Sequence, residues 1–289
     1  MSKIDLHVHL SYESVPKSKD LFVSSYEEML PHFKELDIKK AVLMSSGDSN
    51  SPLPMGTNSE NLKIVKADPV HYAWMCNLDY TEDYDTIYER LCELKKDGAI
   101  GIGELMINKK LNHPFFAKLF EAAGKLSLPV LFHMSPEENY SYGVVDEPGL
   151  PLLEECLQKY PDTMFIGHSQ TFWIEISKDA PKLKEERNQW GKGPVIEGGR
   201  VPYLFDNYPN LYGDLSANSA GCAMMRDPEF GLGFLEKNAD RLFFATDMVN
   251  TDMVFPLGAW LDEKHKEGAL STETYEKICY KNAERIFNI

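Results

Sequence analysis

Close to the start of the chain, the stretch Asp5-Leu6-His7-Val8-His9-Leu10 sets two imidazoles two positions apart. In an extended strand that spacing turns both rings to one face with Asp5, and turns Leu6, Val8 and Leu10 to the other. One face is apolar and the other can bind a ligand. Two imidazoles do not make a site, so further donors are needed, and they stand where strand-like runs end. His133 closes PVLFH, His168 closes FIGH, Asp247 closes LFFATD, and Glu104 follows GIG. Any one of these could cap a helix or anchor a loop amide. Together, the histidines His7, His9, His133 and His168 and the carboxylate Asp247, with Glu104 as an option, are the nitrogen and oxygen donors that Zn²⁺ or a similar divalent ion takes, with a position left for water.

The elements that would position these groups recur through the whole chain. Eight strand-like runs, KIDLHVHL, KKAVLMSS, YAWMCNLD, AIGIGELMI, PVLFHMS, TMFIGHS, LYGDLS and RLFFATD, alternate with helical patterns. Several are continuously apolar, as parallel strands covered on both faces should be. Residues 83–96 carry Tyr84, Ile87, Leu91 and Leu94 on one stripe with Gly98 as a stop, and SYEE at Ser25 to Glu28 reads as a capping box. Further helices are expected near 114–126, 150–159 and 271–286. This alternation predicts an α/β fold, a single-domain (β/α)₈ TIM barrel over residues 1–289, in which functional groups sit at the C-terminal ends of the strands. A doubly wound open sheet is the rival, although no G-x-G-x-x-G follows the first strand. The segment 172–208 is too long for a simple crossover and is expected to be an inserted loop and helix over the active face. GDSNSPLPMG, after the second strand, has the composition of another loop on that face.

Composition narrows the partners. The chain has 289 residues, 43% hydrophobic and 26% charged, enough to bury a large core, and its net charge of −15 disfavours nucleic acid and anionic membrane. A small-molecule ligand is the expected partner, and a homo-oligomer stays open. Five scattered cysteines without a C-x-x-C pair fit free thiols in a reducing compartment. No apolar run approaches about 18 residues, and strand-like sequence from Lys3 leaves no room for a signal peptide, so the expected location is cytoplasmic.

The motif H-x-H on the first strand, His on the fifth and sixth and Asp on the eighth resembles the amidohydrolase superfamily. More narrowly, it is similar to the amidohydrolase-related (amidohydrolase 2) branch of metal-dependent hydrolases and decarboxylases. LPVLFHMS, NLYGDLSA, DRLFFATD and the closing KNAERIF extend the likeness over essentially the whole chain. The resemblance implies that His7, His9, His133 and Asp247 bind the principal metal and that His168 meets substrate or the nucleophilic water. It leaves Glu104 either as a bridge between two metals or as an ordinary buried carboxylate. It further implies Zn²⁺, with Mn²⁺ or another divalent ion as alternatives, and one ion rather than two.

The activity it implies is hydrolysis of an amide, lactone or ester, with Asp247 accepting a proton from a water whose pKa the ion lowers from 15.7 toward about 7. A non-hydrolytic decarboxylation is the alternative, with Arg200 or Arg226 anchoring the departing carboxylate. A barrel that binds a ligand without turnover is the remote third reading, disfavoured by the intact donor set. Trp173 and Tyr142 are the expected substrate contacts, and Asp214 is expected either to reach the pocket or to bond a neighbouring loop.

Overall fold

A computed structural model describes residues 2–18, 21–48, 56–81 and 83–289. All eight expected strands form: β1 Lys3–Val8, β2 Ile38–Leu43, β3 Tyr72–Trp74, β4 Ile102–Leu105, β5 Val130–Phe132, β6 Phe165–Gly167, β7 Leu211–Leu215 and β8 Leu242–Phe244. Every pairing between neighbours is parallel. Two short junctions close the ring. Cys76 pairs with Ile102 between β3 and β4, and Val8 pairs with Met248 between β8 and β1, where the Asp247 amide donates to His7 O at 2.7 Å. The result is the TIM barrel, and the rival open sheet is excluded.

Alternate strand positions divide the core. Ile4, Leu6, Val42, Met44, Ala73, Met75, Leu131, Ile166, Phe243 and Ala245 come from around the ring yet form one cluster, which places them inside it; Ala283 and Phe287 of the last helix plug this cluster. The complementary positions, among them Leu43, Trp74, Phe132, Phe165 and Phe244, pack outward on the helices. β1 departs from the expected simple alternation. Leu6 joins the inner cluster whereas Val8 and Leu10 join the outer one, and the strand's register shifts between Asp5 and Val8. That irregularity carries the apolar side chains across the sheet just where the two histidines begin.

The helices follow their sequence signals. Ser25 caps Tyr26–Glu35 through the full capping box with Glu28. Ile87–Lys96 ends at Asp97, with Gly98 at φ +99° beyond it, and Pro114–Leu126 and Pro151–Lys159 match the expected spans. The C-terminal helix runs from Thr272 to Phe287 with a π-helical stretch at Lys277–Lys281. Residues 172–208 hold short helices at Gln170–Trp173 and Lys184–Arg187 before the helix Arg200–Asn207. Of the loop GDSNSPLPMG, residues 49–55 lie outside the described residues. Among the described residues no helix is long and apolar enough to cross a membrane.

Candidate metal centre

Strand geometry brings the donors together. His7 comes from β1, and His9, Glu104, His133, His168 and Asp247 lie at or just past the C-terminal ends of β1, β4, β5, β6 and β8. Asp247 adopts φ +62°, a left-handed conformation that Asp tolerates better than most residues, which aims its carboxylate back over the barrel mouth. His7 Nε2 and His9 Nε2 are 3.0 Å apart. Each lies 3.3 Å from Asp247 Oδ1, and Glu104 Oε2 is 3.3 Å from His9 Nε2 and 3.7 Å from His7 Nε2. The other oxygen of Glu104 faces elsewhere: Oε1 is 2.8 Å from His133 Nδ1 and 3.5 Å from His168 Nε2. His168 Nε2 in turn stands 3.7 Å from Asp247 Oδ2.

These separations suit a divalent cation. Donors bound tetrahedrally at about 2.0–2.1 Å lie about 3.3 Å from one another, and the His7, His9 and Asp247 atoms, 3.0 to 3.3 Å apart, match that spacing with a fourth position left over. Nearly all of the set is withdrawn from solvent. Side-chain exposure is 0% for His7, 2% for His9 and 4% for Glu104, against 27% for Asp247, so Asp247 is the member that a bound molecule or water can reach.

Mutual electrostatics hold the groups in complementary states. Burial opposes charge on His7, yet the carboxylates of Asp247 and Asp214 keep its pKa well above the usual value. Burial likewise opposes ionisation of Glu104, but hydrogen bonds from His133, His7 and His9 hold it well below the carboxylate range. Asp247 is depressed too, its burial outweighed by His7, His9 and His168. For His133 burial dominates and lowers the ring despite Glu104. The ionised carboxylates are donor states that a divalent ion requires, and an ion bound there would take the place of the proton that they favour on His7.

A cavity of about 470 Å³ opens beside this cluster, lined by the loops after β3, β4 and β5, including Asn77, Tyr80, Met106, Lys109, Tyr140 and Tyr142. Tyr142 connects the two features, with its ring centroid 4.3 Å from that of His133 and 39% of the residue exposed. Gly143 permits this approach: it has φ +107°, and a Cβ there would sit 2.6 Å from His133 O. Asn108 ties the two loops, donating to Gly143 O and accepting from the Asn139 amide. Burial, and then the carboxylates of Glu104 and Asp247, push the Tyr142 phenol up, so it is a proton donor at neutral pH.

The other expected substrate contacts are placed differently. Trp173 is 1% exposed, packs on Phe172 and Phe234, and donates its indole N–H to Asp214 O at 3.0 Å, so its apolar body serves the core. Arg200 donates to Gly149 O and pairs with Glu154. Arg226 donates to Lys192 O at 3.0 Å. Neither arginine lines the cavity or joins the cluster. Arg200 opens the helix Arg200–Asn207 and Arg226 ends the helix Ala217–Met225, both at sites where a carboxylate or carbonyl takes at least one of their N–H groups.

The sequence reasoning missed Ser216, whose Oγ lies 2.8 Å from His168 Nδ1, and the cavity residues Asn77, Tyr80 and Lys109. The spacing of Ser216 two residues after Asp214 was the available signal for the first. The inserted segment does reach the β5 loop: buried Arg187 donates through Nη1 to Pro136 O and Asp146 O, at 3.2 and 3.0 Å.

The fold is a closed parallel barrel with a histidine and carboxylate cluster at its C-terminal mouth, a donor set that could hold a metal ion. The amidohydrolase family model matches residues 58–289, and the chain belongs to that family. Solved structures agree in fold over almost the entire length. 2,6-Dihydroxybenzoate decarboxylase from Rhizobium is 16% identical with a TM-score of 0.62, covering 100% of this chain and 99% of that one. A probable 2-pyrone-4,6-dicarboxylic acid hydrolase from Acinetobacter baumannii, with citric acid bound, is 14% identical with a TM-score of 0.60 and covers 100% of both chains. A dihydroxybenzoic acid decarboxylase from Polaromonas sp. JS666, with bound manganese and 2-nitroresorcinol, is 16% identical with a TM-score of 0.60, covering 99% and 97%. A search of curated protein sequences finds no match. Family and structural relatives are enzymes, both hydrolases and decarboxylases.

Proposed function

We propose that this chain is a metal-dependent hydrolase that activates water for attack on a carbonyl of a small amide, lactone or ester. The observation that carries the reading is the convergence of four imidazoles with Glu104 and Asp247 beside a cavity that, among the described residues, contains no arginine. His7, His9 and Asp247, with Glu104 beside them, would hold one divalent ion, and His133 and His168 offer a second set across Glu104. Two such sets would have room for two ions in place of the one expected, with Glu104 offering a donor to each, Zn²⁺ first and Mn²⁺ as the alternative. The bound metal supplies Lewis acidity and a water acidic enough to ionise near neutral pH.

The chain's own groups do the rest. Asp247, ionised and the most exposed of the set, takes the proton at its carboxylate and returns it to the leaving group. His168 would serve as a metal donor on its side of Glu104. Tyr142 donates its hydroxyl from the cavity side toward developing negative charge. Decarboxylation is retained as a second reading because Lys109 lines the cavity, where it could anchor a carboxylate in place of the displaced Arg200 and Arg226.

The test is reconstitution of chelator-stripped protein with Zn²⁺ or Mn²⁺, followed by a panel of lactones, amides, esters and carboxylic acids with CO₂ release monitored. Metal-dependent hydrolysis without CO₂ supports the proposal. CO₂ as the product overturns it in favour of the lyase.

A further inference from the structure

We propose that Asp214 is a positioning residue which, from behind the cage, fixes the tautomer and orientation of both His7 and His168, so that each ring presents Nε2 forward. The inference rests on reading the cage as a metal centre. Asp214 lies on β7 between those two histidines and is 0% exposed. Its Oδ2 is 2.6 Å from His7 Nδ1. Its Oδ1 accepts the Ser216 amide at 2.6 Å and stands 3.6 Å from His168 Nδ1, which also contacts Ser216 Oγ at 2.8 Å.

The chemistry follows from the ring. An imidazole that binds an ion through Nε2 must carry its proton on Nδ1, and that N–H needs an acceptor. For His7 the acceptor is the Asp214 carboxylate itself. For His168 the Ser216 hydroxyl could either donate or accept, and the nearby negative charge of Asp214 decides the matter by favouring the proton on Nδ1. One carboxylate thereby sets a donor in each half of the cage. Trp173 explains why Asp214 can be held so accurately: its indole N–H binds the Asp214 carbonyl and fixes the end of β7.

The competing role is a plain loop anchor, in which Asp214 merely receives the Ser216 amide ahead of the helix Ala217–Met225. Asp214→Asn distinguishes the two, because an amide oxygen can still take that bond but cannot charge-stabilise both Nδ1 protons. The measurement is Zn²⁺ affinity by chelator competition on folded protein, with the absorption spectrum of the Co²⁺-loaded form as a second readout. The expected result is affinity weakened about 10- to 100-fold with an altered Co²⁺ spectrum, and a smaller loss in Ser216→Ala. Affinity within about twofold of wild type and an unchanged spectrum would overturn the proposal.

If Asp214→Asn does not fold, ¹⁵N-histidine spectra of the Zn²⁺-loaded wild type decide. A His7 proton on Nδ1, protected from exchange, supports the assignment, and Nδ1 without a proton rejects it. Wild-type protein that binds no ion would defeat the metal reading itself, an outcome separate from any behaviour of Asp214→Asn.

Discussion

The Glu104 carboxylate stands between His133 and His9, with Oε1 2.8 Å from His133 Nδ1 and Oε2 3.3 Å from His9 Nε2. One side chain thus belongs to both halves of the donor cluster. Glu104→Gln keeps the shape but replaces one oxygen with an amide nitrogen that carries no lone pair for a metal. Protein prepared with excess Zn²⁺ should contain close to two ions per chain by elemental analysis, falling toward one or below in the variant. A wild-type stoichiometry of one would remove the bridging role.

Asp247 should matter more to rate than to folding. Asn tolerates the same left-handed φ of +62° and keeps one oxygen facing the histidines, so stability should change little. Loss of the basic carboxylate should lower kcat by roughly 10²- to 10⁴-fold, measured with metal content determined on the same sample. A fully metallated Asp247→Asn within a few-fold of wild type would exclude Asp247 as the proton acceptor.

Trp173 tests the reassignment from substrate contact to core. Trp173→Ala should cost about 3–5 kcal/mol of stability, read by denaturant unfolding, because the indole is enclosed by Phe172, Phe234 and Gly213. Tyr142→Phe should do the opposite, leaving stability near wild type while reducing kcat/KM. A stable Trp173→Ala with an isolated rise in KM would restore the original expectation.

How much of this was legible in the sequence depended on the range of the interaction. The eight strands and the donors at their ends were readable because periodicity and strand-end position are local, as His133 and His168 show. The burial of Trp173 was not legible, because an aromatic in a loop-like stretch looks the same whether it turns toward a ligand or toward Phe234. The placement of Arg200 and Arg226 was hidden for a related reason: their partners Glu154 and Lys192 are distant in sequence or are backbone carbonyls. Asp214 was visible as a residue, but its role needed β1 and β6 on either side of β7. The break in alternation within β1 left no trace in the pattern D-L-H-V-H-L.

Asp146 carries a pH signature. Burial pushes its carboxyl up to about 7, despite amides of Leu153, Leu152 and Glu147 and the charge of Arg187. A carboxyl whose folded pKa is raised holds its proton longer in the native state than in the unfolded chain, where it ionises near 3.9. Its contribution is therefore most favourable at acid pH and is lost as pH rises from about 4 to 7, by at most roughly 4 kcal/mol. Asp146→Asn should flatten this part of the stability curve relative to wild type, whatever its overall offset. Parallel curves for the two proteins between pH 4 and 7 would contradict it.

The claim that the cluster is a metal centre is tested most directly by the metal content of a His7→Ala, His9→Ala double variant beside wild type, both reconstituted with Zn²⁺ and desalted. Both imidazoles face the barrel mouth, and Leu6, Val8 and Leu10 keep the packing of β1, so the variant should fold with unchanged far-UV circular dichroism. Stoichiometric zinc is expected in the wild type, with loss of the ion held by His7 and His9 in the variant. Zinc retained in the folded double variant at the wild-type level would contradict it.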